Sequence, residues 1–463
     1  MKGMQRMSQT VAVASGSGTV GEAVVAALIE DDWAALTASS RTRVTQDRRR
    51  CRLGVRCRIA GRLIGDVVRR WIAVVTGMLM TVAGMVAAVR PASAQPPGVD
   101  VSCGTVVTTS VTLQRDLIDC PNNGFVIGAD NITIDLNGHA LDGDGTLVEP
   151  CPAGERCDTG ILNFGHVGVT VTRGTISDFA AGVDLKDADR NQLRQLTVTR
   201  SMFPGVALFG GTQLTVEKNR IIENGVTTEE AGMRLFGVTD SVIWGNRISA
   251  NGSIGLFAGA SSNGNRVEGN TFSDNPEAGI ILEESNGTEV SSNRFVRSPL
   301  ILIGDHNIIR KNYVADPPVC DDGCGIGISF EGGARNVIEQ NVVVRVPIVG
   351  IKIDAYGPAA VNNIVRGNIV RDVGVDGIGI NLDDVGEVTG SLVERNVVTG
   401  SGDDGIDVES PSTTLRGNLA AHNGDLGIEA VLGVTDGGRN RAFANGNPLQ
   451  CTNIQCSGGR AAR

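Results

Sequence analysis

Carboxylates gather late in the chain. Gly402–Val408 reads Gly-Asp-Asp-Gly-Ile-Asp-Val and brings Asp403, Asp404 and Asp407 together, while Asp383 and Asp384 stand in the preceding unit. Crowded carboxylates shift one another's proton affinity, so one can stay protonated as a general acid while its neighbour is ionised as a base. The same crowding suits calcium, a hard cation that takes oxygen ligands, with Asp383 and Asp384 as candidate ligands. A second group lies in Gly350–Gly357, where Lys352, Asp354 and Tyr356 offer a cation, a base and a phenolic proton donor. Proton abstraction from a uronic acid needs such a base beside a positive charge. Asn381, Glu409, Arg234 and Phe236 are candidate substrate contacts. The bland alternative is that all of these are ordinary solvated surface groups.

A repeat decides how these residues are held. Gly followed by apolar, any, apolar returns at Gly182, Gly205, Gly232, Gly255, Gly279, Gly325, Gly350, Gly377, Gly405 and Gly427. Asn returns in phase at Asn219, Asn246, Asn270, Asn293, Asn312, Asn341, Asn368, Asn396 and Asn418, and Leu300 opens a unit that lacks the glycine. Each unit holds short strands too brief to bury a face alone. Stacking strand above strand at about 4.8 Å buries a continuous apolar column and satisfies the backbone laterally. The asparagines are expected at an inward turn position, bonding from coil to coil, and the glycines at turns with positive φ. The pattern predicts an all-β parallel β-helix.

Strand alternation sends the variable residue of each run, and the one after its second apolar position, outward. These are Lys352 with Asp354, Gly379 with Asn381, Asp407 with Glu409, and earlier Arg234 with Phe236. Gly327 and Ser329 are assigned to the same columns in the unit starting at Gly325. Phe209, Phe236 and Phe257 make an aromatic strip there, fit for stacking on sugars or for a covering loop.

The Gly and Asn phasing from Gly160 to about Asn447 resembles the right-handed parallel β-helix repeats of the pectin-lyase-like superfamily. Cys103 through the segment Phe125–Gly143 is similar to the amino-terminal cap and first coil of its secreted bacterial members. The resemblance implies a single-stranded right-handed β-helix with its site on the outer face of one sheet. Gly402–Val408 is similar to the Asp-Asp segment of polygalacturonase-type glycoside hydrolases, which implies acid and base roles for Asp403 and Asp404. The chain departs from that pattern: it lacks a downstream Gly-His-Gly, and Gly-Ile-Lys-Ile precedes the aspartates instead of following them. The Asp-Pro-His signature of mannuronan epimerases is also missing.

Charge divides the chain. Residues 1–95 carry 14 Lys or Arg against 6 Asp or Glu, leaving 27 against 45 in the remainder. That acidic body argues against a nucleic-acid partner, which needs clustered Lys and Arg. Arg69 and Arg70, the uncharged run Trp71–Val89, and Ala92-Ser93-Ala94 read as a secretory signal over 67–94 with cleavage after Ala94. Residues 1–66 read as a basic leader, disordered or from an upstream start. Gly16, Gly18 and Gly21 have dinucleotide-loop spacing, but no room follows for the rest of such a sheet. The remaining cysteines pair by proximity as Cys103 with Cys120, Cys151 with Cys157, Cys320 with Cys324 and Cys451 with Cys456, which reads as local disulfides in an oxidising compartment.

The expectation is therefore a secreted, monomeric β-helix of about twelve coils. Residues 95–123 would form an amino-terminal cap, 124–447 the solenoid, and 448–463 a carboxyl-terminal cap and tail. Its later coils would bind or cleave an acidic polysaccharide, by Asp-mediated hydrolysis or by elimination with calcium. The rival is a non-catalytic surface or adhesive rod.

Overall fold

The computed structural model describes residues 101–147, 158–226, 230–319, 325–383 and 386–458. The leader with its Gly motif, the export signal, Cys151, Cys157, Cys320, Cys324 and Asp384 lie outside them. Among the described residues no helix is long and apolar enough to cross a membrane.

The chain winds as a parallel β-solenoid. One sheet stacks fourteen strands, from Thr105–Val107 to Ile428–Ala430, each paired in parallel with the strand one coil later. We call it the first ladder. A second and a third ladder close each coil, and the long strands Thr170–Ser177 and Gln192–Thr199 run through both. The sequence suggested about twelve coils and the first ladder has fourteen rungs; Phe125–Ile127 falls in the expected first coil, and Thr105–Val107 lies before it. The segment expected as a cap thus contributes a rung itself. Disulfides Cys103–Cys120 and Cys451–Cys456 lie near the two ends.

The interior is filled by the alternate residues of every strand. Ile328, Ile351, Ile378, Ile406 and Ile428 stack in register along the first ladder, each fully buried. Register also moves one unit. Ile328 pairs with Ile351 and Ser329 with Lys352, so Gly327, not Gly325, is the repeat glycine there. The outward pair becomes Ser329 and Glu331, two residues on, so the facing is unchanged.

The asparagines do what their phasing predicts. Asn341 Nδ2 donates to Asn368 Oδ1 at 3.0 Å and to the Ile309 carbonyl at 2.9 Å, while its own Oδ1 accepts from Asn312 N–H and Nδ2. Each amide therefore ties three coils. The stack runs unbroken from Asn219 to Asn440.

The glycines differ from expectation. Left-handed backbone falls on the residue before each ladder asparagine, as at Gly245 (φ 64°) and Lys218 (φ 56°), and not on the repeat glycines, Gly327 included. Those are required for want of space: a Cβ on Gly350 would stand 2.5 Å from the Gly377 carbonyl oxygen, and one on Gly405 2.5 Å from that of Gly427. Coils touch backbone to backbone at this corner.

Two substitutions test this account in chemical denaturation. Gly350→Ala is expected to cost about 1 to 3 kcal/mol, as overpacking does, whereas Gly357→Ala, whose Cβ meets nothing within 4 Å, should be near neutral. Asn341→Ala leaves the Asn312 N–H buried without its partner and takes one of two donors from the Ile309 carbonyl, and should cost about 1 to 3 kcal/mol, the penalty of one stranded group.

Candidate active site

The turn entering the first ladder carries the late carboxylates. In successive coils it reads Val375-Asp376-Gly377, Asp403-Asp404-Gly405 and Asp425-Leu426-Gly427. Backbone bonds hold equivalent residues above one another: Asp403 N–H donates to the Val375 carbonyl at 3.1 Å and Asp425 N–H to that of Asp403 at 3.0 Å. The side chains join the same stacking. Asp404 N–H donates to Asp376 Oδ1 at 3.1 Å, and Leu426 N–H to Asp404 Oδ1 at 2.7 Å.

Asp407 stands on the adjoining strand Ile406–Val408, in register between Gly379 and Glu429. Carboxylate oxygens of Asp376, Asp404 and Asp407 lie within 4.8 Å of one another, and Asp404 belongs to a second such group with Asp403 and Asp425. Asp376 and Asp404 are only 7% and 3% exposed.

Burial and mutual repulsion raise the proton affinity of this group. Burial pushes Asp404 up to about 8, helped by Glu429 and Asp403. Burial likewise takes Asp407 to about 7, with Asp376 and Glu429 adding repulsion. Asp376 reaches about 6 through burial, against the backbone bond from Asp404 that favours its charge. Near neutrality the group therefore holds both acids and bases. An all-carboxylate donor set also fits calcium. Asp376 and Asp404 each spend Oδ1 on a backbone N–H, which leaves Oδ2 of each and a carboxylate oxygen of Asp407 for a cation.

A second centre lies two rungs earlier. Lys352, 6% exposed, places Nζ 2.7 Å from Asp354 Oδ2 and 3.0 Å from the Tyr356 hydroxyl, and also donates to Asp383 Oδ2. Burial pulls the lysine's proton affinity down, but its two carboxylates more than offset this and raise it. Burial raises Asp354, fully enclosed, against the opposing pull of Lys352, and it raises half-buried Glu331 nearby.

The structure thus brings Asp403, Asp404 and Asp407 together, and separately Lys352, Asp354, Tyr356 and Asp383. Asp383, expected as a metal ligand, is the lysine's partner. Asn381 and Glu409 continue the column of Asp354 across the next two rungs, the first buried and the second exposed. Arg234 and Phe236 belong to neither centre. They sit five rungs before Lys352 on the same sheet, where Arg234 pairs with Glu230, and Phe236 stacks on Phe209 and lies tilted by 47° against Phe257, each at a 5.6 Å centroid spacing. All three rings are half-buried.

Sequence reasoning missed Asp376 and Asp425. Both occupy the repeat phase of the Asp403-Asp404 turn, so aligning the units on their glycines would have found them. Enclosure was also missed: Lys352, Asp354 and Asn381 were assigned outward positions and Asp404 a turn, and all four are buried.

A family model described as the right-handed β-helix region matches residues 159–306 and 299–420. Among solved structures, a periplasmic alginate epimerase double mutant is 15% identical (74% of this chain, 86% of that one, TM-score 0.39). An α-1,3-glucanase catalytic unit from Streptomyces thermodiastaticus is 16% identical (73% and 61%, TM-score 0.40). The mannuronan C-5 epimerase A-module of Azotobacter vinelandii is 13% identical (76% and 79%, TM-score 0.32). No curated protein matches the chain in sequence.

The raised carboxyls have a consequence for stability. Unfolded, they lose their protons near pH 4; folded, they hold them to about 6, 7 and 8. The fold binds more protons throughout that window, so stability should fall as pH rises from about 4 to about 8 and level off above. Melting temperatures across this range should show the decline, and Asp404→Asn should flatten its upper part.

Proposed function

We infer, for a chain that belongs to the right-handed β-helix family, that it is a carbohydrate-active enzyme that uses carboxylates as acid and base on the outer face of its first ladder. One observation carries the reading: Asp376, Asp404 and Asp407 share an outer corner within 4.8 Å, with proton affinities spread from about 6 to about 8. A pair whose environments hold one partner protonated and the other ionised at neutral pH is what glycosidic bond hydrolysis requires.

Asp404 has the roles of its environment. It keeps its proton longest and gives it to the leaving oxygen, while Asp376 or Asp407 takes one from water or attacks the sugar. Asp403 and Glu429 flank the group and sustain the shift. Two features support export: the signal-like segment before Gln95, and disulfides at both ends of the solenoid, which persist in oxidising compartments. The acidic polysaccharide expected from the sequence would need its carboxylates bridged by calcium on a face this acidic.

Release of reducing ends from a polysaccharide panel should follow a bell-shaped pH profile with limbs near 6 and 8. Asp404→Asn should lower turnover by about 100-fold or more, the scale of general acid catalysis. Absorbance of unsaturated products without new reducing-end dependence on Asp404 would point to elimination instead, and inactivity on every substrate would favour the non-catalytic rod.

A further inference from the structure

The later coils present acceptors almost without donors of positive charge. The first-ladder strands and turns over 374–390, 402–415 and 424–438 contain no Lys or Arg. The cation that does stand on this face, Lys352, is spent. Its ammonium donates to Asp383 and to the Tyr356 hydroxyl and is ion-paired with Asp354 at 2.7 Å. At 6% exposure and held by two carboxylates, it has no open approach for a ligand anion. Arg234, the next cation back along the column, is five rungs distant, roughly 24 Å at the strand spacing, and is paired with Glu230.

An independent feature shows what the face still lacks. Asn381 is 8% exposed, and its Oδ1 is buried without a hydrogen-bond donor. It stands on the rung between Lys352 and Asp407, in the column of Asp354 and Glu409. An unmet buried acceptor flanked by carboxylates calls for a ligand that donates. Hydroxyl groups donate; an ionised carboxylate does not, and it would be repelled by those already there.

We propose that the ligand of this face is an uncharged glycan held through its hydroxyl groups, and that polyuronates are excluded unless a divalent cation bridges them. This rests on the carbohydrate reading above and gives it a substrate class. Buried Asp404 and half-buried Asp407 already resist ionisation; a ligand carboxylate beside them would add to the same repulsion, whereas a hydroxyl can donate to either.

Affinity electrophoresis of the full chain decides the matter. The gels contain mixed-linkage β-glucan, α-1,3-glucan, galactan, polygalacturonate or alginate, each with EDTA or with calcium, and reducing ends are assayed in parallel. Retention by at least one neutral glycan, changed less than twofold by EDTA or by 0.15 M salt, with polyuronates at least tenfold weaker in EDTA, is the expected result. Polyuronate binding in EDTA equal to that of the neutral glycans overturns the proposal, as does failure to bind any neutral glycan. Neutral glycan bound but never cleaved, by wild type and Asp404→Asn alike, sustains the substrate class and sinks the catalytic reading. Asp383→Ala removes that acceptor, returns one lysine proton to the face and should strengthen polyuronate retention in EDTA several-fold; no change would overturn the role given to Lys352.

Discussion

Everything in this molecule depends on one coil lying a single backbone hydrogen bond from the next. Parallel pairing sets the rise at about 4.8 Å, and at the repeat glycines the approach leaves no space for even a methyl group. The side chains of an unbroken column are thereby forced into contact with their own kind. Inside, this yields stacked isoleucines and amides; outside, it yields carboxylates that would avoid one another if they were free to move. The raised proton affinity of the late aspartates is thus imposed by the same spacing that holds the core together.

The fold was legible because the repeat is written twice, in glycine and in asparagine, and the two are locked in phase. What each marker does was only half legible. Asn341 bonds across coils as its recurrence implies, but the glycines answer to steric closeness, and the left-handed turn falls on Gly245 or Lys218 instead. Sequence alone does not distinguish a glycine needed for its φ from one needed for its missing side chain. The first rung was obscured because Thr105–Val107 keeps an opening glycine, Gly104, but has Thr105 where the repeat has its first apolar residue.

At the site, alternation correctly sent Lys352, Asp354 and Asp407 out of the core, and it failed on what outward means. Position on a strand gives direction; exposure depends on what the turns bring back over the sheet. Asp383 lies in the turn after Asn381, outside any strand, and it is the group that fixes Lys352. Asp376 went unnoticed because it is alone in its turn, whereas Asp403 and Asp404 are adjacent and draw the eye. Its importance comes from stacking beneath Asp404, a relation between residues 28 apart.

The asparagine stack also has a direction. Each amide nitrogen from Asn219 to Asn418 donates one bond forward, to the next asparagine, and another back to a carbonyl of the coil before. Each Oδ1 after that of Asn219 accepts from the preceding asparagine, so the side-chain dipoles add head to tail and polarise one another. Such a row carries partial positive charge where its last donor emerges. There Asn440 Nδ2 meets Asp436 Oδ1 at 3.2 Å. The solenoid interior therefore ends as a helix does when an anion sits on its amino terminus, with a fixed charge closing a macroscopic dipole.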